Sequence, residues 1–292
     1  MTHSVQLPVR YDECDPYGHV NHANYFKYMG YAAFSAADQF NLDDTRSADS
    51  EYVWITRETE VEFLSPMAFR DTVHIDTWVT DFRRVRSLRL YDIHTGDPTK
   101  PAARAWTDWV YARRDTGMPA IVPDEVAERF LELNGGPNRV ERTKFPKPPP
   151  YAEYTPKIEL TPEWRDLDPN GHVNNAGWLA YIENGTFQLC ENLGWPADRM
   201  VAEGFGIFAR KYRIEYLKSA GINDHFYLKT WVSDKRRATA IRHHEIRNSA
   251  DDSLLIRARC MYVWVNLETG APIKMPDNFY ADFEPNFSSS KK

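Results

Sequence analysis

The spacing of apolar positions changes period twice along this chain, each time in the same order. From Ala23 to Phe34 the segment is apolar over most of a helical circumference, and so is Trp178-Leu179-Ala180-Tyr181-Ile182 with Phe187. A helix that is apolar nearly all round is a buried one. Downstream the period becomes two. Thr72 to Val79 alternates through Val73, Ile75 and Val79, and Phe226, Leu228, Thr230 and Val232 repeat the pattern, which predicts strands. Further strands are predicted over 87–93, 103–113, 240–246 and 257–265, with hairpin turns at Asp81-Phe82-Arg83-Arg84 and Asp234-Lys235-Arg236-Arg237. One long buried helix followed by several antiparallel strands calls for a strongly curved sheet wrapped around the helix.

The recurrence is an internal duplication. Asp15-Pro16-Tyr17-Gly18-His19-Val20-Asn21 returns as Asp168-Pro169-Asn170-Gly171-His172-Val173-Asn174, and Trp78 with Trp231, Gly117 with Gly270, Arg57 with Arg210, Glu62 with Glu215, and Asp71 with Asp224 keep the same 153-residue offset. Roughly thirty identities fall in about 110 positions, far above chance, at a period that marks two domains rather than a solenoid. The expected organisation is an N-terminal domain over 1–122, a short helix (124–133, ended by Asn134-Gly135-Gly136-Pro137) and Pro-rich connector over 123–156, a C-terminal domain over 157–287 and a disordered tail over 288–292.

Composition narrows the chemistry. The 292 residues are enough for two cores without disulfides or metals. A net charge of −6 and a pI near 5.9 argue against nucleic-acid or anionic-membrane partners. Cys14, Cys190 and Cys260 are scattered, without CxxC spacing, so neither a disulfide framework nor a zinc site is indicated. The expectation is no metal, no membrane segment and a cytoplasmic location. No Gly-x-Ser-x-Gly elbow, P-loop or Gly-x-Gly-x-x-Gly occurs.

Each repeated motif sets an acidic side chain in an Asp-Pro-x-Gly turn that leads into the buried helix. With the residues after Gly18 and Gly171 forming the first helical turn, unpaired backbone N–H groups would polarise a carbonyl oxygen. A carboxylate beside such donors can attack a polarised acyl group or activate water. Taken alone, Asp15 and Asp168 have turn-forming or capping duty as their usual explanation.

The run Arg10-Tyr11-Asp12-Glu13-Cys14-Asp15-Pro16-Tyr17-Gly18-His19-Val20-Asn21-His22-Ala23-Asn24-Tyr25-Phe26 resembles the opening of the hotdog-fold 4-hydroxybenzoyl-CoA thioesterase family. Trp164-Arg165-Asp166-Leu167-Asp168-Pro169-Asn170-Gly171-His172-Val173-Asn174-Asn175 is similar to the acyl-ACP thioesterases, which are themselves tandem hotdog proteins. The resemblance implies an α+β fold of two tandem hotdog domains forming an intrachain pseudo-dimer. It also implies a thioesterase whose catalytic set is Asp168, Asn170, His172 and Glu215. That family commonly has Cys after the Glu, where this chain has Tyr216, which favours carboxylate over thiol chemistry. In the first half Asp15, His19 and Glu62 match, but Tyr17 replaces Asn170 and lacks the amide's donor–acceptor pair. Asp15 and His19 therefore stand as a candidate second site.

Candidate substrate contacts are Asn174, Tyr25, Trp178, Arg236 and Arg237, the arginines for carrier phosphates or an acidic carrier protein. The two aromatics are otherwise core, and the arginines otherwise a solvated turn. Coenzyme A or phosphopantetheine would enter as part of the substrate, with no dissociable cofactor. Acyl carrier protein is a candidate partner and a homodimer of the tandem chain a candidate assembly. The rival readings are a hotdog enoyl-thioester hydratase or dehydratase, and a non-catalytic acyl-thioester-binding protein.

Overall fold

The computed structural model describes residues 2–39, 50–132 and 135–289. Leu133 and Asn134, placed at the end of the connector helix, and residues 290–292 of the tail lie outside them. The chain divides into two units, Met1–Thr143 and Lys144–Lys292.

In the first unit a 17-residue helix α1 (His22–Asp38) accompanies five antiparallel strands, β1 (His3–Pro8), β2 (Tyr52–Phe63), β3 (Thr72–Arg83), β4 (Arg86–His94) and β5 (Ala103–Arg113), ordered β1-β3-β4-β5-β2. Helix α2 (Asp124–Glu132) follows. The second unit repeats this plan with α3 (Asn175–Asn192), β6 (Ile158–Leu160), β7 (Phe205–Tyr216), β8 (Phe226–Ser233), β9 (Thr239–Asn248) and β10 (Leu254–Asn266), ordered β6-β8-β9-β10-β7. It adds a short α4 (Ala197–Ala202) and ends in α5 (Asp277–Phe283). Each unit is thus a hotdog domain, a long helix against an antiparallel sheet.

The helix positions follow from their apolar faces. Trp178 and Tyr181 pack on Phe226 at 5.1 and 5.4 Å, and Gly185 lets α3 approach β8, where a Cβ would meet Leu228 at 2.4 Å. The strand and helix positions expected from periodicity are occupied, but β1, β2, β6, β7, α4 and α5 have no counterpart in that reading. β2 and β7 alternate charged residues with buried ones, so their apolar signal is diluted. The first hairpin also differs: Asp81–Arg83 remain in β3 past a bulge, and the turn falls at Arg84, whose φ is +37°.

The duplication runs further than the strands. Arg89 lies over the ring of Phe130 at 5.6 Å, and Arg242 over Phe283 at 5.8 Å. In each pair the arginine also donates from Nη1 to a β-strand threonine, Thr77 or Thr230, at 3.3 Å. Helix α2, placed by sequence between the copies, is therefore the first copy's equivalent of α5.

The connector is docked along both units. Arg139 stacks over Trp78 at 5.1 Å, and Arg142 bonds Asp81 and Asp108. Beyond Lys144, Phe145 sits between Arg213 and Arg257, and Tyr151 packs edge-on against Trp231 at 4.8 Å. Ser288, expected in a disordered tail, is instead held: its amide donates to Val232 O at 2.8 Å and its hydroxyl to Pro150 O at 2.7 Å. Two satisfied hydrogen bonds in a buried setting outweigh its polar composition.

Candidate active site

Both motifs fold as the same closed turn. Asp168 Oδ1 accepts from the amides of Asn170 (2.8 Å) and His172 (3.2 Å), while the Asp168 amide donates to His172 O (2.8 Å) and Gly171 N to Asp168 O (2.9 Å). In the first unit Asp15 Oδ1 accepts from Tyr17 N (2.9 Å) and His19 N (3.1 Å), with the same backbone closure. Gly171 and Gly18 carry φ of +76° and +79°, the left-handed region that glycine enters without a Cβ penalty. A bridge between Leu167 and Val173, matched by Cys14 and Val20, zips each loop shut.

This geometry corrects the expected helix start. The residues after Gly171 turn back along the loop instead of opening the helix; α3 begins at Asn175 and α1 at His22. The turn amides of Asn170 and His172 point at the Asp168 carboxylate and are not free for a substrate oxygen. Asn174 is the helix cap: its Oδ1 accepts from Gly177 N (2.8 Å), and its Nδ2 donates to Asp166 O (2.7 Å). Both ends of that amide are committed, so its candidate role in substrate contact is replaced by capping.

The consequence is a half-buried carboxylate with one oxygen fixed by two amides and the other more lightly held. Asp168 Oδ2 has only Asn170 Nδ2 at 3.4 Å among the described residues. Asn170 and His172 are exposed beside it. Each loop is also braced from below. Tyr181 donates to Asp166 Oδ2 at 2.8 Å, as Tyr28 does to Glu13 Oε2 at 2.6 Å. Burial and the neighbouring carboxylate push both phenols far above the usual tyrosine value. Asp224 accepts from Gly221 N at 2.7 Å and Asp71 from Ala68 N at 2.8 Å, and Val173 N bonds Ala220 O, which fastens the loop to the segment leaving β7. The Tyr28/Tyr181 and Asp71/Asp224 matches in the repeat were the available signal for this bracing. The acid change from Glu13 to Asp166 hid the rest.

Glu215 comes from a strand and not from the exposed turn. It is 6% exposed on β7, opposite Arg257 of β10, and its Oε2 accepts from Arg257 Nε. Phe145 covers that arginine at 4.7 Å. Glu62 faces Arg104 at the matching register of the first unit.

The remaining candidates scatter. Tyr25 is buried against Phe63, and burial drives its pKa far up; Trp178 is buried against Phe226. Both are core, because each ring is enclosed by its own unit's aromatics. Arg236 and Arg237 are exposed in the β8–β9 turn. Phe226, beside the motif end of α3, opens β8 and Ser233 closes it, a span of about 23 Å at strand rise. Within this unit they cannot touch the groups that Asp168 touches. Burial raises the thiols of Cys190 and Cys260, which makes neither a thiolate nucleophile. No cluster of metal ligands occurs among the described residues, and none of their helices is long and apolar enough to cross a membrane.

Comparison with known proteins gives the same two-copy division. The model of the thioesterase-like superfamily matches residues 9–130 and again 162–283. The chain is 31% identical over 141 residues to the chloroplastic oleoyl-acyl carrier protein thioesterase 1 of Arabidopsis thaliana (44% of this chain, 38% of that protein). It is 30% identical over 195 residues to the chloroplastic palmitoyl-acyl carrier protein thioesterase of Gossypium hirsutum (65% and 43%). The matched region thus spans less than half the length of these curated relatives. Among solved structures, the 12:0-ACP thioesterase of Umbellularia californica aligns at a TM-score of 0.69 with 19% identity, covering 89% of this chain and 93% of that one. An acyl-ACP thioesterase of Bacteroides thetaiotaomicron aligns at 0.69 with 16% identity, over 89% and 97%. These two likenesses concern the fold. With the family model matched over both copies and the same closed Asp turn in each, the chain belongs to the thioesterase-like superfamily.

Proposed function

We propose that the chain is a thioesterase that hydrolyses acyl-ACP or acyl-CoA thioesters, with Asp168 as the catalytic carboxylate. The observation that carries this reading is the Asp168 turn. Oδ1 is tied by two backbone amides, which fixes the carboxylate, and Oδ2 has the side-chain amide of the exposed Asn170 at 3.4 Å, with the exposed His172 in the same turn. That oxygen takes a proton from water as the water oxygen attacks the thioester carbonyl. Collapse of the tetrahedral adduct breaks the C–S bond, and the carrier thiolate leaves and is protonated. The Asn170 amide and the His172 ring supply the donors for the oxyanion, since the turn amides are committed. Glu215 supports the site as the hydrogen-bonded partner of Arg257. The names of the plant relatives favour the acyl carrier protein as the carrier, and it is the partner we propose.

Asp15 is tied in the same way, but Tyr17 offers no amide beside it, so the first copy is the weaker candidate site. Thiol release from acyl-ACP and acyl-CoA substrates tests the assignment. Asp168→Asn should lower turnover by about a hundredfold or more, and Asp15→Asn by much less. Unchanged turnover in Asp168→Asn removes the assignment. Loss of enoyl absorbance without thiol release would favour a hydratase, and binding without either would favour an acyl-thioester-binding protein.

A further inference from the structure

The inner face of the second unit's sheet carries a polar cluster that the proposed chemistry does not use. Leu228 meets α3 at Gly185, so Leu228 and Thr230 mark the helix-facing side of β8. Register puts His244 opposite Thr230 and Ala258, and Cys260 opposite Tyr212, on that same side. Tyr212 and Tyr262 share a hydrogen bond at 2.7 Å. Glu183 of α3 stands close enough to add to the burial that raises Tyr212, Cys260 and Tyr262. Arg242 is bonded to Thr230 and Asn286 at one side of the group.

His244 is 1% exposed, and both its ring nitrogens lack a hydrogen-bond partner among the described residues. A buried unpaired polar group costs on the order of 1–3 kcal/mol, and here two sit on one ring. Burial, with Arg242 nearby, holds the ring well below the usual histidine pKa, hence neutral. Among the described residues the first copy has no buried histidine of this kind. Its equivalent of His244 is Tyr91, paired with Thr107, and its equivalent of Glu183 is Gly30.

Resting on the thioesterase reading, we propose that His244 is the centre of a specificity subsite for a long acyl chain bearing a hydroxyl toward its distal end. A neutral imidazole offers one donor and one acceptor, the complement of a hydroxyl. Depth sets the length: Gly185 lies ten residues into α3 from Asn175, so the subsite is about 15 Å or more beyond the motif at helical rise. A short aryl group would not span it. Selectivity of this kind comes from the partner left unpaired by the wrong substrate.

The test uses acyl-pantetheine thioesters, which carry the arm common to both carriers, as matched long-chain saturated, ω-hydroxy and ω-carboxy substrates. Wild type should show kcat/KM for the hydroxy substrate about tenfold or more above the saturated one. His244→Phe, which keeps a ring and removes both nitrogens, should erase that ratio, and His244→Gln should retain part of it. An equal ratio in wild type and His244→Phe, or a wild-type preference for the saturated or carboxy chain, overturns the subsite. Should His244→Phe fail to fold, the His244→Gln ratio decides: one equal to wild type also overturns it. If no thioester releases thiol, the thioesterase reading fails instead. Calorimetric binding of the free hydroxy acid to wild type and His244→Gln then judges the subsite alone, a loss of affinity in the variant supporting it and equal affinity overturning it.

Discussion

Arg257 donates from Nε to the buried Oε2 of Glu215 across the β7–β10 register, so the glutamate matched to a catalytic position is an ion-paired strand residue. Removing the arginine leaves a carboxylate at 6% exposure without its cation. Arg257→Gln should lower unfolding stability by about 1–3 kcal/mol, at the low end of such losses because the arginine is partly exposed. Glu215→Gln should cost less. Urea unfolding of both variants and the double variant measures the coupling, and a double-variant cost equal to the sum of the two single costs would refute the pairing as a stabilising element.

Gly171 holds the Asp168 turn at a φ of +76°, with nothing within 4 Å of where a Cβ would stand. Gly171→Ala should therefore cost about 1–2 kcal/mol through backbone conformation alone. It should also reduce turnover more than Gly18→Ala, because only the second turn carries Asn170. Comparable activity in the two variants would place the chemistry elsewhere.

His243 stacks on Trp231 at 5.5 Å and bonds Ser233 at 2.8 Å, and burial, aided by Arg259, lowers its pKa from 6.5 to about 4. A depressed value means the unfolded chain binds the proton first. Its contribution is present above pH 6.5 and is lost as pH falls from 6.5 toward 4; one such group supplies on the order of 3 kcal/mol. His243→Gln should flatten the acid limb of stability measured by chemical denaturation across that window.

Arg89 is buried with one hydroxyl contact and the Phe130 ring. Arg89→Met should be neutral or stabilising by about 1 kcal/mol, since a buried charge is expensive to desolvate. Phe130→Ala should destabilise by about 3 kcal/mol. A large loss in Arg89→Met would show that the cation–ring contact outweighs desolvation.

Much of this was readable beforehand. The 153-residue repeat located both Asp turns, both long helices and the middle strands, because turn glycines, aromatic runs and alternation are local signals. Alternation did not mark β7, although Glu215 within it was singled out, since a strand with charges on its covered face loses its alternation. The helix start was placed too early because a Gly-His-Val sequence does not reveal that the chain folds back before Asn174 caps it.

The amino-acid sequence by itself determined the duplication, the α+β class and the asymmetry between Tyr17 and Asn170, all of which reside in residue identity and spacing. Only the tertiary structure decided which polar groups are spent and which remain open. The turn amides close on Asp168, Asn174 caps α3, Glu215 pairs with Arg257, and both nitrogens of His244 stay unpaired. Hydrogen-bond partners come from strands and loops far apart in the chain, and no one-dimensional pattern encodes that pairing.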